Sequence, residues 1–356
     1  MKSGLKSMQL VKVNGSAYEI GLELGRLGRS AARDVLPRIG RFQEVVEQWG
    51  SSDRLRELEA AARQHFPEHM STLEGIATGA KQPFDLIFAW NCRGDFPGGG
   101  DQSALAGCTD VMAIDGERVF MGHNEDDQSE LDGHCWLVEC KPTDGAPFTS
   151  FYSPGLLPGH TFGWNAAGLV QTINHIRTHD QSIGVPRHLL ARAVLDCQTM
   201  DEAVSLIRST PRAGGFHHNL GQFNQVPSAV SVEAPASGVS VRNLAVGVAQ
   251  AHANHLVHDA LEFVPQTVAP SSASRQARAD ALSKNGISSV NDALALLADG
   301  EDTALPIRRK GTSSTDPGFT LASATFEISE SKVAWRVYRD TLCPPDLMGE
   351  TRVEKP

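Results

Sequence analysis

The chain has 356 residues, 40% of them hydrophobic and 21% charged, with a formal net charge of −10 at pH 7. That length and mix allow a large buried core in one domain or two. The acidic balance, with no dense Lys/Arg stripe, argues against a nucleic-acid surface. Lys2 and Lys6 are followed by no apolar run, so no cleaved secretory signal is expected. No stretch approaches the ~20 apolar residues of a membrane helix. Cys92, Cys108, Cys135, Cys140, Cys197 and Cys343 are scattered without close repeated spacing. That fits reduced thiols in a cytoplasm better than a disulfide framework, with five of the six expected as small buried hydrophobes.

In chain order, Tyr18–Gly25 opens an amphipathic helical run toward Arg41. Ser51-Ser52-Asp53 reads as a helix start before Leu55, Leu58 and Ala61. A further helical pattern passes through His69, Leu73 and Ile76. Pro97-Gly98-Gly99-Gly100-Asp101 reads as a mobile loop, because successive glycines leave backbone entropy high. From Cys108 the period changes to two. Val111–Ile114 is a strand, Asp115-Gly116 a hairpin turn, and Val119–Gly122 its return. Trp136–Cys140 is the next strand, and Phe162–Asn165 and Leu169–Asn174 form a hairpin around Ala166-Ala167-Gly168.

Helices are expected from Pro186 to Cys197 and from Met200 to Arg208, then strands at Ala229–Val232 and Ala245–Ala251. Pro265–Ala281 reads as a loop-rich insertion leading into polar helix. Val290–Leu297 is helical, and strands Ala324–Ile328 and Val333–Tyr338 close the chain. Strand runs grouped apart from helix runs argue for an α+β fold of antiparallel sheets with helices layered on them.

Cys108 carries the chemistry. A thiol attacks as thiolate and needs a base, since a free cysteine has a pKa of ~8.5. If the chain severs itself before Cys108, the new α-amine, with a reference pKa of ~7.7–8.0, is that base. Gly107 permits the twisted peptide that an N-to-S acyl shift requires, and the Pro97–Gly100 loop supplies slack. Against this stands a plain buried thiol at a strand end.

Cys108-Thr109, the hairpin, and Gly122-His123-Asn124-Glu125-Asp126 together resemble the cysteine branch of the N-terminal nucleophile hydrolases. Within that branch the chain is similar to the isopenicillin N acyltransferase-like (peptidase C45) proteins. Gly15–Gly21, Asn91-Cys92-Arg93, Asn165–Leu169 and Ala253-Asn254-His255 extend it over nearly the whole chain. Gly122–Asp126 and Leu157-Pro158-Gly159-His160-Thr161 are similar to the branch acting on N-β-alanyl amines.

The resemblance implies a four-layer αββα sandwich, self-cleavage between Gly107 and Cys108, and no cofactor or metal. Residues 1–107 would stay attached as a small subunit to residues 108–356. Cys108 would be the nucleophile, and Asp126 would charge-balance its α-ammonium. Asn254 would donate to the oxyanion, and Thr109 would support the cut. A backbone N–H near Asn174 is a second candidate oxyanion donor. Glu125, His123, Asn174, Trp164 and His160 are the expected substrate-binding residues. The penicillin-related acyltransferase has an arginine just ahead of its late strand; Pro317–Ser323 has none, and Arg93 or Arg336 would have to substitute.

The implied reaction is hydrolysis or acyl transfer on a small N-acyl amide. The acidic run Glu125-Asp126-Asp127 favours a cationic group, such as a β-aminoacyl ammonium or an amine leaving group. Two alternatives stay open. His252, His255 and His258, with His123 near three carboxylates, could signal a metal-dependent hydrolase, although no His-Glu-x-x-His motif is present. An inactive binding protein on the same scaffold is the other. The acidic run could equally be a solvated hairpin end, and Asn254 a strand-end cap.

Overall fold

The computed structural model describes residues 7–98, 107–311 and 318–354. The Gly99–Asp101 part of the glycine loop lies outside them. The chain opens with β1 (Leu10–Gly15) and α1 (Ala17–Asp34), then α2 (Gly40–Trp49), α3 (Asp53–His65), α4 (Pro67–Ala80) and α5 (Phe84–Asn91). The β2 (Thr109–Asp115) and β3 (Arg118–Asp127) hairpin follows, with β4 (Trp136–Pro142), β5 (Phe148–Tyr152), β6 (Phe162–Asn165) and β7 (Val170–His175). Next are α6 (Arg187–Val194), α7 (Met200–Ser209), β8 (Phe216–Asn224), β9 (Val226–Ala234), β10 (Ser240–Asn243) and β11 (Ala249–His252). Finally come α8 (Pro270–Ser283), α9 (Val290–Leu297), β12 (Phe319–Ile328), β13 (Lys332–Tyr338) and β14 (Leu347–Arg352).

Two sheets form. One has the order β1-β4-β5-β6-β7-β8-β9-β10, and the other β11-β2-β3-β12-β13-β14. Every pairing is antiparallel except β1 with β4. Met112, Met121, Phe151, Phe162, Phe326 and Trp335 fill the space between the sheets. The outer face of the first sheet, through Val13, Val138 and Phe148, packs under residues of α1, α4, α5 and α6. The outer face of the second, through Val111, Ala113 and Phe120, packs under α8 and α9. This is the expected four-layer αββα sandwich. None of the described helices is long and apolar enough to cross a membrane.

Local chemistry accounts for the first helices. Ser16 and Glu19 form a reciprocal capping box at the start of α1, and Ser52 caps α3. α1 ends at Asp34 rather than running to Arg41, because Pro37 lacks the N–H a longer helix would need. α1 and α4 pack backbone to backbone: a Cβ on Gly21 would overlap the Thr72 carbonyl, and one on Gly75 the Tyr18 carbonyl. Pro265–Ala281 is not a loop-rich insertion. From Pro270 it is α8, whose Ala279 packs against the second sheet. Of the cysteines other than Cys108, only Cys92 and Cys140 are buried; Cys343 is exposed.

Candidate active site

Strand alternation builds the site. Side chains along a strand point by turns to its two faces. Met112 on β2 and Met121 on β3 face the inter-sheet core, so Asp110, His123 and Glu125 share that face. The register pairs Asp110 with His123, and Asp110 Oδ1 lies 2.6 Å from His123 Nδ1. His123 Nε2 is 3.3 Å from Glu125 Oε2. The same oxygen accepts a hydrogen bond from the Cys108 thiol at 3.3 Å.

The opposite face carries Thr109 and Asp126 toward the helix layer. Thr320 of β12 is the register partner of Asp126 and donates to its Oδ1 at 2.6 Å. Arg309, just before β12, places Nη1 3.7 Å from Asp126 Oδ2 and 3.3 Å from the Gly107 carbonyl oxygen. From α8, Arg275 donates through Nη1 to the Cys108 carbonyl at 2.5 Å and to Thr109 Oγ1 at 2.8 Å. Its Nη2 donates to Asn254 Oδ1 at 2.6 Å. Asn254 in turn donates from Nδ2 to the His175 carbonyl at 3.0 Å, leaving that amide one N–H to offer among the described residues. The carbonyls on both sides of the Cys108 nitrogen are thus each held by a guanidinium. A Cβ at position 107 would lie 2.7 Å from both Asn254 Oδ1 and Arg275 Nη2, so only glycine fits there without displacement.

A cleft of about 670 Å³, counting its open mouth, lies above Cys108. Glu125, Asp126 and Asp127 line it, as do Arg41, Arg93 and Arg187, with Trp90, Ile173 and Phe216 as apolar wall. Arg93 lies over the Trp90 ring at 4.6 Å and donates to the Trp90 carbonyl at 3.2 Å. Asn91 ties this wall together. It donates to the Ile87 and Gly155 carbonyls and accepts from the Leu157 N–H, all at 2.8 Å.

The electrostatics follow from burial. Burial first, then the Glu125 charge, pushes the Cys108 thiol up to about 12, with His123 opposing. Burial would strip His123 of its proton, but the Asp110 carboxylate, Cys108 and Glu125 outweigh it and raise the ring well above its ordinary value. Burial works against the charge of Asp110 too, yet His123 and His217 hold that carboxyl down at about 2. Asp126 is pushed up to about 6 by burial, against the pull of Arg309 and Arg275. Burial likewise brings Asp127 to about 6.

Cys108, Thr109, Asp126 and Asn254 therefore come together as the sequence suggested, around Gly107. The acidic run is not a solvated hairpin end: Asp126 is 2% exposed. His160 lines the cleft, its Nδ1 3.0 Å from the Leu157 carbonyl and its Nε2 without a hydrogen-bond partner among the described residues. His123 is not on the cleft surface; it stands fully buried behind Glu125.

Trp164 does not line the cleft. It packs between the sheets against Phe326 and Trp335, because its strand face is the inter-sheet face. The Asn174 side chain also points away, donating to the His252 carbonyl at 2.8 Å, while its neighbours Ile173 and His175 line the cleft. Other arginines stand beside the Gly107–Cys108 peptide. Arg309 stands ahead of the late strand, and Arg275 on α8 joins it; Arg93 is in the cleft wall, and Arg336 is remote on β13. His252, His255 and His258 do not converge, since the first and last flank Glu233 while His255 faces Ser272.

The charge-sign argument for a cationic substrate also weakens here, because three guanidiniums share the cleft with the three carboxylates. Asp110, Arg275 and Arg309 escaped sequence reasoning. Only Asp110 left a signal, two residues past Cys108 on the same strand face.

The chain is 25% identical over 223 residues to the beta-alanyl-dopamine/carcinine hydrolase of Drosophila melanogaster, covering 57% of this chain and 58% of that protein, less than two thirds of its length. It is 29% identical over 298 residues to the acyl-coenzyme A:6-aminopenicillanic-acid-acyltransferase 40 kDa form of Emericella nidulans, covering 80% of this chain and 79% of that one. The structure of penicillin V acylase from Agrobacterium tumefaciens aligns with a TM-score of 0.42 at 16% identity, over 67% of this chain and 84% of that one. A profile of the acyl-coenzyme A:6-aminopenicillanic acid acyl-transferase family matches residues 113–340, more than half of the sequence, and the chain belongs to that family.

Proposed function

We propose that the chain is an amide hydrolase or acyltransferase that activates itself by cutting between Gly107 and Cys108. One observation carries this reading. The Gly107 carbonyl, the Cys108 thiol and Asp126 lie together at the foot of an open cleft, with Arg309 on the carbonyl oxygen.

In the uncut chain the Cys108 nitrogen is an amide and cannot serve as base. The thiol proton passes instead to Glu125, its hydrogen-bond acceptor. Sulfur attacks the Gly107 carbonyl carbon, and Arg309 steadies the oxyanion. The C–N bond breaks, the nitrogen takes the proton back, and a thioester remains. Water hydrolyses it to a Gly107 carboxylate and free Cys108, now with both thiol and α-amine. The ammonium form of that amine fits against Asp126, whose Oδ2 has no hydrogen-bond partner among the described residues.

In turnover, the α-amine takes the thiol proton and Cys108 attacks the substrate carbonyl. Asn254, with one N–H uncommitted, is the oxyanion donor, and Thr109 with Arg275 fixes the nucleophile's backbone. The leaving amine takes the proton, and water or an acceptor amine resolves the thioester. The substrate is a small N-acyl amide. A β-aminoacyl group is its finer form: the ammonium would face Glu125 and Asp127, in keeping with the beta-alanyl substrate in the name of the Drosophila relative.

Intact mass under denaturing conditions tests the cut. Two pieces meeting at Gly107/Cys108 are expected for the wild type, and one for Cys108→Ala. A wild-type chain that stays whole after prolonged incubation would sink the reading. An amide panel read by released amine tests the substrate, and equal turnover of neutral and β-aminoacyl amides would remove the finer form.

A further inference from the structure

We infer that Cys108 Sγ, His123 Nε2 and Glu125 Oε2 form a three-ligand site for a thiophilic divalent cation, Zn2+ being the type it fits, and that the bound ion silences the nucleophile. These are the one group of three such ligand atoms within 4.8 Å of one another among the described residues. Sγ and Nε2 each lie 3.3 Å from Glu125 Oε2. Zinc bonds of about 2.0–2.3 Å to a tetrahedral set put neighbouring ligands roughly 3.3–3.8 Å apart, in keeping with the two distances to Glu125.

The donor types select the metal. A thiolate with an imidazole suits zinc and not the hard cations magnesium or calcium. His123 is also held as a metal-binding histidine usually is. Its far nitrogen is fixed by the Asp110 carboxylate at 2.6 Å, which aims Nε2 at the other two ligands. Cys108 and Glu125 both line the cleft, so the fourth position opens to solvent and the ion has an entry path.

Binding forms Zn–S and Zn–N bonds and releases two protons to water in the cleft, one from the Cys108 thiol and one from His123 Nε2, which Glu125 faces. The sulfur lone pair and the Glu125 carboxylate are then both committed, so neither the cut nor turnover proceeds while the ion is held. The site exists in the uncut chain, so it does not depend on the cleavage proposed above.

The test is a Co2+ titration of chelator-treated protein. One equivalent per chain is expected, with a thiolate-to-cobalt charge-transfer band, four-coordinate visible bands, and displacement by Zn2+. His123→Ala and Glu125→Gln should bind at least about tenfold more weakly. Cys343→Ser, at an exposed thiol, should bind like the wild type. Cobalt binding without the thiolate band, or with unchanged affinity in His123→Ala, would overturn the proposal.

Should the variants fail to fold, wild-type protein alone decides. Zn2+ should slow iodoacetamide alkylation of Cys108 about tenfold or more, and chelator should restore it; no protection would also overturn the site. A chain that binds zinc but never cuts keeps this inference and loses the preceding one.

Discussion

Two buried histidine–carboxylate clusters sit between the sheets, built alike and ending differently. In one, Asp110 holds His123, which meets Glu125 and, through it, the Cys108 thiol. In the other, Glu233 lies 3.0 Å from His252 Nε2 and accepts the backbone N–H groups of Val257 and His258 at 2.6 and 3.0 Å. The two touch, since the His217 and His252 rings stack 3.4 Å apart and His217 Nδ1 is 3.8 Å from Asp110 Oδ2. Both carboxyls resist burial and are held at about 2 by histidine neighbours. The first cluster ends at a sulfur facing a cleft. The second ends in backbone amides and pins the segment that follows β11 and carries Asn254. On the proposed reading, similar chemistry serves reaction in one place and architecture in the other, and what lies at the end of the contacts decides which.

The strongest break in that comparison is Cys108→Ala, which should abolish both self-cleavage and turnover, read by denaturing mass and released amine. Next, Arg309→Met should slow the cut by ~10²–10³, the usual cost of removing an oxyanion donor, measured as the rate of appearance of the two pieces. Glu233→Ala should leave the cutting rate of folded protein nearly unchanged but cost ~3–5 kcal/mol of stability, the usual cost of breaking a buried pair. Denaturant unfolding on a Cys108→Ala background isolates that cost. His123→Ala should do the reverse, slowing the cut more than its loss of stability explains. If Glu233→Ala impairs cutting in proportion to His123→Ala, the two clusters act as one.

The smallest effects are those of pH. Asp110 and Glu233 have folded values of about 2, below their ordinary 3.8 and 4.5. Their contribution to stability is therefore present above those ordinary values and is lost as pH falls through about 2. Asp127 carries the opposite sign. Raised from 3.8 to about 6, it weakens the fold above that value and is neutral below its ordinary one. Asp127→Asn should raise the unfolding midpoint at pH 7 and leave it unchanged near pH 3. A stabilising effect that persists at pH 3 would place its cause outside this carboxyl.

Much of the architecture was legible because periodicity and turn chemistry are local. The Asp115-Gly116 turn joins β2 to β3, and Val290–Leu297 is a helix with the expected ends. Cys108, Thr109, Asp126 and Asn254 were legible through motif order. Arg275 and Arg309 were not, because a buried arginine's role depends on which distant carbonyls it meets, and Gly107 is 202 residues from Arg309. Trp164 was misplaced for a related reason. Alternation identifies the inward face of a strand but not whether that face lines a cleft or fills the space between sheets. Asp110 was within reach, since the hairpin register sets it opposite His123.

The early part of the chain contributes β1, which lies parallel to β4 at the edge of the larger sheet, and α1, pressed bare against α4. A break before Cys108 would free neither, so the particle would keep its size and shape. What it would lose is a way back. An intact chain refolds as one molecule, whereas severed pieces must first find each other, so recovery after denaturation would grow with concentration and fade on dilution. Maturation in such a protein works as a ratchet, easy to enter and hard to retrace.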